Sequence, residues 1–423
     1  MLVLTHADNR KTILSMKEQF DVVIVGGGMV GAAVACGLGD SALRVAVIEQ
    51  HTPDAFSAEQ PHDLRVSALS IASKKILETV GAWDGVINRR SCAFKRMRVW
   101  ETAGNTEFCS DAIDYPELGY IVENRVTQLA LLERLAAFKN ITLFCPVSIQ
   151  KIDYSPLSTD DTASIELSDG RCLSTKLLVA ADGGQSRVRQ VVGLGVNSRD
   201  YQQHALVLYV ETDYGQQDIT WQRFVASGPQ AFLPLTGHYA SLVWYHSPDD
   251  VQRLKSLPDA ELLRELSATF PDCLGHIKAV LGRVSFPLKC QHAQHYVKPG
   301  VALVGDAAHM INPLAGQGVN IGLLDAAALA EVLIDANNAG QSIADVKVLK
   351  RYEQRRRPEN LKMMTVMELF YRVFSNDILP VKFLRNLGLG LAERILPAKN
   401  KLMRAAMGLE GQLPKLARGE KIV

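Results

Sequence analysis

Asp306 and His309 stand three residues apart in the stretch GDAAHM, directly after the apolar run Val301 to Val304. A carboxylate at the end of a buried strand can accept hydrogen bonds from sugar-like hydroxyls. A histidine three residues on can orient a turn through its ring nitrogens or move a proton directly, and the residues leave both roles open. The segment that follows, Pro313 to Asn320, contains Gly316 and Gly318 and no Ser, Cys or Lys to act as a nucleophile. It leads into a long Ala/Leu pattern that predicts a helix, so its backbone N–H groups sit at a helix start, where they suit a partial negative charge. A cofactor ring is the expected occupant, and the cofactor carries the reaction.

The second constellation lies near the other end of the chain. Val22 to Val25 form an apolar run, followed by Gly26-Gly27-Gly28-Met29-Val30-Gly31, a match to G-x-G-x-x-G. A small-residue helix pattern and a second apolar run, RVAVIE, come next, and Glu49 falls eighteen residues after Gly31. Gly26 permits the tight turn, Gly28 lets a pyrophosphate approach the backbone, and Gly31 lets the helix pack close to the sheet. Glu49 is placed to bind the ribose hydroxyls of an adenosine, and its charge disfavours a 2′-phosphate. A third turn follows the run KLLVAA: Asp182-Gly183, then Ser186 and two arginines at the start of a helix-like segment. Alone it reads as a strand-to-helix turn with a capping Asp.

The elements that must position these residues follow from the pattern. Strand ends carry all three turns, which predicts an α/β fold with a Rossmann-like dinucleotide-binding domain assembled from separated segments. Residues 1–19 read as an extension, 20–195 as the first parts of the cofactor domain, with a short insertion from the substrate domain near 91–118, and 285–340 as its last part. Between them, 196–284 holds short runs rich in aromatic and β-branched residues, an antiparallel sheet serving as substrate domain. Trp221, Phe224, Phe232 and Trp244 are its candidate pocket walls. From 341 to 423 the pattern is helical. Residues 351–423 hold 15 basic and 7 acidic residues, a net +8, interleaved with apolar positions. That reads either as a solvated face or as an amphipathic surface for anionic lipid or a partner protein.

Composition narrows the class. Hydrophobic residues are 47%, charged residues 22%, and the formal net charge is +1, which points away from nucleic acid. Seven cysteines at 36, 92, 109, 145, 172, 273 and 290 form no C-x-x-C pair, so neither a metal site nor a disulfide framework is expected. No apolar run reaches about 18 residues, and the opening MLVLTHADNRKTILSMKEQF has no signal-peptide core. A cytoplasmic protein, peripheral on the inner membrane, is the expectation.

The three turns in this order resemble those of the flavin-dependent aromatic hydroxylases, the group A monooxygenases. Within that family the stretches DLRVSALSIAS (63–73), GYIVENRVTQLAL (119–131), ADGGQSRVR (181–189) and LVGDAAHMINPLAGQGVNIG (303–322) are similar to the ubiquinone-biosynthesis hydroxylases. TWQRFVASGPQAFLPL (220–235), ASLVWYHSP (240–248), LFYRVFSN (369–376) and FLRNLGL (383–389) resemble the branch that hydroxylates a methoxylated polyprenyl benzoquinol. Met310 departs from the Thr expected there. The resemblance implies a Rossmann-like FAD-binding domain of the aromatic-hydroxylase type holding FAD, with NAD(P)H as reductant and O2 as co-substrate, acting through a flavin C4a-hydroperoxide. It implies that Gly26, Gly28, Gly31 and Glu49 hold the ADP half and that Arg65 lies near the pyrophosphate or the ring edge. Asn124 or Arg125 then approaches the ribityl chain. Asp182 belongs to a turn shared by FAD and NAD(P)H. Asp306 binds ribitol, and Pro313, Gly316, Gly318 and Asn320 line the ring. The implied partners are the polyprenyl benzoquinol, other proteins of the same pathway and a membrane surface. Alternatives are an earlier prenylphenol hydroxylase of that pathway and a non-catalytic lipid-binding protein on the same fold. No W-x-W-x-I-P motif supports a flavin halogenase.

Overall fold

The computed structural model describes residues 17–101, 105–156, 161–225, 227–271, 275–311, 318–374 and 396–422. In chain order, β1 (Lys17–Val25), α1 (Met29–Gly37) and β2 (Val45–Ile48) form the opening βαβ unit, followed by β3 (Val66–Ser70), α2 (Ile71–Thr79) and α3 (Trp83–Ile87). Then come β4 (Cys92–Phe94), β5 (Arg96–Trp100), β6 (Asn105–Cys109), β7 (Gly119–Glu123), α4 (Asn124–Leu135) and β8 (Ile141–Phe144). β9 (Ile149–Tyr154), β10 (Ala163–Leu167), β11 (Cys172–Ala180) and α5 (Arg187–Val191) lead to β12 (Val196–Thr212), β13 (Ile219–Arg223), β14 (Gln230–Pro234) and β15 (Tyr239–His246). The chain continues through α6 (Pro248–Ser256), α7 (Asp259–Thr269), β16 (Ile277–Ala293), β17 (Val297–Lys298), β18 (Val301–Leu303) and β19 (His309–Met310). It closes with α8 (Gly318–Asn338), α9 (Val346–Phe374) and α10 (Leu396–Ala406).

The first sheet has the order β17-β18-β11-β1-β2-β8, with β9 and β10 added beside β11. β18, β11, β1, β2 and β8 run parallel. Their unbroken apolar runs fit a sheet covered on both faces, and Val22 to Val25, Leu177 to Ala180 and Val301 to Leu303 are all buried. α1 and α8 pack through small residues: a Cβ added at Gly37 would fall 2.9 Å from the Ala330 Cβ. The parallel strand ends all point to one edge, where α1 and α8 begin.

The second sheet has the order β19-β16-β12-β15-β14-β13-β5-β6. It takes in β5 and β6 from residues 96–109 as well as strands between 196 and 293. A boundary drawn at 284/285 therefore cuts through β16, which runs unbroken from Ile277 to Ala293. Its end pairs with β19 of the same sheet, and β17 and β18 of the first sheet lie between these two strands in the chain. α6 and α7 cover one face of this sheet. The loop 54–65, the three-stranded sheet β3-β7-β4 and α9 lie toward the other. Among the described residues, no helix is long and apolar enough to cross a membrane.

Candidate functional site

β1 ends in a turn whose geometry only glycine tolerates. Gly26 has φ +104, and a Cβ there would lie 2.4 Å from the Ala181 carbonyl oxygen. A Cβ at Gly31 would lie 1.9 Å from the Gly26 oxygen, so α1 is seated directly on the turn. Gly28 differs: a Cβ there would meet nothing within 4 Å. Its backbone is extended, with φ −68 and ψ −178, and no side chain caps the N–H groups of α1. Open space in front of uncapped helix N–H groups is the form an anion requires. Glu49 closes the cradle. Its Oε2 accepts from the Gly27 N–H at 2.8 Å and its Oε1 from the His51 N–H at 2.9 Å, leaving lone pairs for ribose hydroxyls. Gln128 of α4 donates to the Gly27 carbonyl at 3.0 Å, a contact no motif announces.

The second turn lies beside the first. Gly183 has φ +81, and the Asp182 Oδ2 accepts from the Val188 N–H at 3.2 Å. The Asp182 Oδ1 is buried and has no hydrogen-bond partner among the described residues, which is costly unless a further donor reaches it. Arg189, buried, donates to the Gly184 carbonyl and to the Ala307 carbonyl, both at 2.8 Å. Burial lowers the pKa of its guanidinium and the Asp182 charge opposes that shift. Arg189 thus ties the second turn to the third.

In the third turn Gly305 has φ +56, and Asp306 beside it is exposed, with Arg65 close enough to act on its charge. Water reaches its carboxyl, yet protein walls surround it. Desolvation raises its pKa, against the lowering influence of His309 and Arg65. Arg65 lies over the Phe286 ring at 5.2 Å, so it faces the second sheet across the crevice between the two sheets. His309 turns away from that crevice. It is 1% exposed, and its Nε2 donates to the Oδ2 of Asp325, which is fully buried on α8. This geometry places His309 on the loop-orienting side of its two readings.

Asn320 is likewise committed to the scaffold. Its Nδ2 donates to the Ala68 carbonyl at 2.8 Å, and its Oδ1 accepts from the Ser70 N–H at 2.9 Å and the Ser73 hydroxyl at 2.7 Å. It fixes the start of α8 against β3 and α2. A Cβ at Gly318 would meet nothing within 4 Å, whereas Pro313 and Gly316 lie outside the described residues. Asn124, at the start of α4, accepts from the Ser67 hydroxyl at 2.7 Å. Arg125 forms a two-point pair with Asp63 at 2.8 and 2.9 Å and donates to the carbonyls of Asp54 and Ala55. It holds the 54–63 strap beside the crevice.

The four aromatic residues of the second sheet are not brought together. Trp221, Phe232 and Trp244 pack with Leu206, Leu242, Leu254, Leu266 and Phe270 on the face covered by α6 and α7. Phe224 sits on the opposite face against Tyr245, Leu288 and α9. Strand alternation explains the split, because successive side chains point to opposite faces. The crevice face carries another row. Val284, Val207, Val243, Ala231, Gln222 and Val99 are cross-strand neighbours over six strands, and each is half-buried. One residue over, Leu206, Leu242, Phe232 and Trp221 are 0 to 4% exposed. The half-buried row shares its face with Phe286, which Arg65 covers.

Comparison with known proteins agrees with this geometry. A family model described as an FAD binding domain matches residues 19–366. The chain is 43% identical over 390 residues to the 3-demethoxyubiquinol 3-hydroxylase of Escherichia coli (strain K12), covering 92% of this chain and 98% of that protein. It is 40% identical over 405 residues to the ubiquinone hydroxylase UbiL of Rhodospirillum rubrum, covering 94% of this chain and 92% of the relative. Among solved structures, p-nitrophenol 4-monooxygenase PnpA from Pseudomonas putida DLL-E4 superposes with a TM-score of 0.74 at 21% identity, covering 93% of this chain and 99% of that one. That likeness is one of fold.

Proposed function

The chain belongs to the flavoprotein monooxygenases with an FAD binding domain, in the branch of the ubiquinone-biosynthesis hydroxylases, and from that membership we propose that it hydroxylates the ring of a polyprenylated benzoquinol with FAD, NAD(P)H and O2. The observation that carries the reading is the convergence of three strand-end turns on one crevice, with Gly28 open and the Asp182 Oδ1 unpartnered among the described residues. Both fit a bound dinucleotide: the first admits phosphate oxygens, and the second accepts from a hydroxyl or an amide of the ligand.

The residues divide the work. Gly26 to Gly31 and the start of α1 hold the pyrophosphate, and Glu49 holds the adenosine ribose. Asp306 takes the ribityl hydroxyls, and Arg65 offsets the phosphate or ring charge at the crevice mouth. Gly318 to Asn320, at the start of α8, would offer N–H groups to the ring. Bound FAD supplies reduction by NAD(P)H and the activation of O2, from which one oxygen atom passes to the substrate ring and the other leaves as water. The row from Val284 to Val99 forms the apolar wall on which the ring substrate lies, and its lack of ionisable groups keeps water from the reacting atoms. A quinol ring is already electron-rich, so the site needs no strong base. Arg125 supports the ribityl side through the strap it holds, and Asn124 through Ser67 and the Arg65 carbonyl.

The proposal extends to contact between the basic helices of 341–423 and an anionic membrane, where a polyprenyl substrate resides, and to association with other proteins of the pathway. Deletion of the gene with mass spectrometry of the lipid intermediates tests the substrate. Accumulated demethoxy-ubiquinone supports the late ring hydroxylation, a prenylphenol lacking an earlier oxygen moves the enzyme to that step, and an unchanged ubiquinone pool refutes the assignment.

A further inference from the structure

Behind the Gly305–His309 turn lies a buried polar assembly with no direct part in the chemistry proposed above. Asp325, on α8, is 0% exposed, and its two oxygens face opposite ways. Oδ2 accepts from the His309 Nε2 and from the Gly305 N–H at 3.3 Å. Oδ1 accepts from the Arg356 Nε and the Asn360 Nδ2 of α9, both at 2.9 Å. Arg356 also donates to the Asn360 Oδ1 at 2.7 Å, Asn360 reaches the Tyr296 hydroxyl at 3.3 Å, and that hydroxyl contacts the His292 Nε2 at 3.0 Å. One carboxylate therefore joins the cofactor turn to two helices.

We propose that Asp325, acting through His309 and the Gly305 N–H, is a positioning residue that fixes Asp306 for the cofactor and so sets cofactor affinity without touching the cofactor; the inference rests on the FAD reading above. Three observations carry it. Gly305 sits at φ +56 next to Asp306, one of several backbone states open to a glycine, so contacts around the turn must select it. The turn-facing oxygen of Asp325 bonds that residue and His309, so it grips both ends of the turn. α8 also carries Asn320, which anchors the helix start to β3 and α2, so the same helix aligns the turn and the end of the 313–320 segment. Apolar residues of similar volume would join α8 to α9 at least as stably. They would not supply a directional hold on the turn. Arg356 matches the Asp325 charge, and burial, which alone would raise the Asp325 pKa, is outweighed by His309 and Arg356, holding it at about 2.

The test uses the full chain stripped of flavin and titrated with FAD, following the quenching of flavin fluorescence, with the thermal midpoint of the flavin-free protein measured alongside. Substitutions at His309 leave the Asp325–Arg356 pair in place. His309→Leu removes the donor, and His309→Gln supplies an amide that can donate to Asp325. The expected result is an FAD Kd raised about 10- to 100-fold in His309→Leu, the range seen when outer partners of metal ligands are removed, with most of the affinity restored in His309→Gln and similar flavin-free midpoints. An unchanged Kd in His309→Leu overturns the proposal, as does a loss of affinity that His309→Gln fails to restore. Should His309→Leu not fold, Asn360→Ser replaces it, and an unchanged Kd there overturns the proposal equally. Failure of the parent protein to bind FAD is a separate result and refutes the cofactor reading instead.

Discussion

Gly28 and Gly31 belong to one motif yet should fail in opposite ways when substituted. At Gly28 a Cβ meets no atom within 4 Å, and the backbone at φ −68, ψ −178 suits any residue. The cost of Gly28→Val to the flavin-free protein is then the loss of a good helix-cap residue, at most about 1 kcal/mol. The same substitution fills the space through which a phosphate must approach. Losing one or two charge-assisted hydrogen bonds, at about 1.5–3 kcal/mol each, weakens FAD by roughly tenfold to about twenty-thousandfold at about 1.4 kcal/mol per tenfold. At Gly31 the added Cβ falls 1.9 Å from the Gly26 oxygen and 3.0 Å from the Ala181 Cβ, so α1 or the turn must move. Gly31→Ala should cost about 1–3 kcal/mol or more in the flavin-free protein. Thermal unfolding without flavin and FAD titration by fluorescence quenching separate the two effects. A Gly28→Val protein that titrates like the parent would show that the phosphates do not sit at this turn. A Gly28→Val protein destabilised as much as Gly31→Ala would show that the space in front of Gly28 is not open.

Asp306→Ala should lower the flavin content of purified protein while leaving the flavin-free unfolding midpoint within a few degrees of the parent; full flavin content would remove Asp306 from the site. Trp244→Ala should destabilise the second sheet by about 3–5 kcal/mol, as expected for a buried aromatic, whereas Val243→Phe, one residue along on the crevice face, should raise the KM for quinol with little change in unfolding midpoint; the reverse pattern would exchange the two faces. His62 donates to or accepts from Tyr209 at 3.2 Å and Thr236 at 2.8 Å, and burial followed by the Arg90 charge pushes its pKa down to about 4. The unfolded chain therefore binds the proton first, so the stability His62 contributes is complete above about pH 6.5 and lost as pH falls toward 4, a change of about 3 kcal/mol. Denaturant titrations from pH 7 to 4 should show a steeper loss in the parent than in His62→Asn, and parallel slopes would count against a neutral buried His62.

The cofactor turns were legible because glycine, acidic residues and strand ends leave local marks. Gly26, Gly28, Gly31 and Glu49 are set by one βαβ unit, and their spacing alone determines their geometry. Asp182 and Asp306 each follow an apolar run that could only be a buried strand. What spacing could not reveal is which polar groups satisfy one another across the chain. Arg189 reads as a helix-start arginine, yet it joins two carbonyls 123 residues apart, those of Gly184 and Ala307. Arg125, expected near the ribityl chain, spends its guanidinium on Asp63 because the 54–63 strap folds back over α4. Such pairings depend on tertiary contact and have no local signature.

In the second sheet the aromatic content was legible, but not the face that each aromatic residue takes, because composition does not set the phase of the alternation. In a sheet covered on both faces, large aromatics go where packing is tightest, and here that is the α6/α7 side, where Trp221, Phe232 and Phe270 adjoin one another. The face that must admit a substrate needs free volume, so its row is small or β-branched: Val207, Val243, Ala231 and Val99. Parity along each strand separates the two faces, whereas residue type alone does not. The same logic applies to the cofactor side, where the open position is Gly28 and the filled one is Gly31. In both halves of the crevice a ligand site shows itself by the space its residues leave.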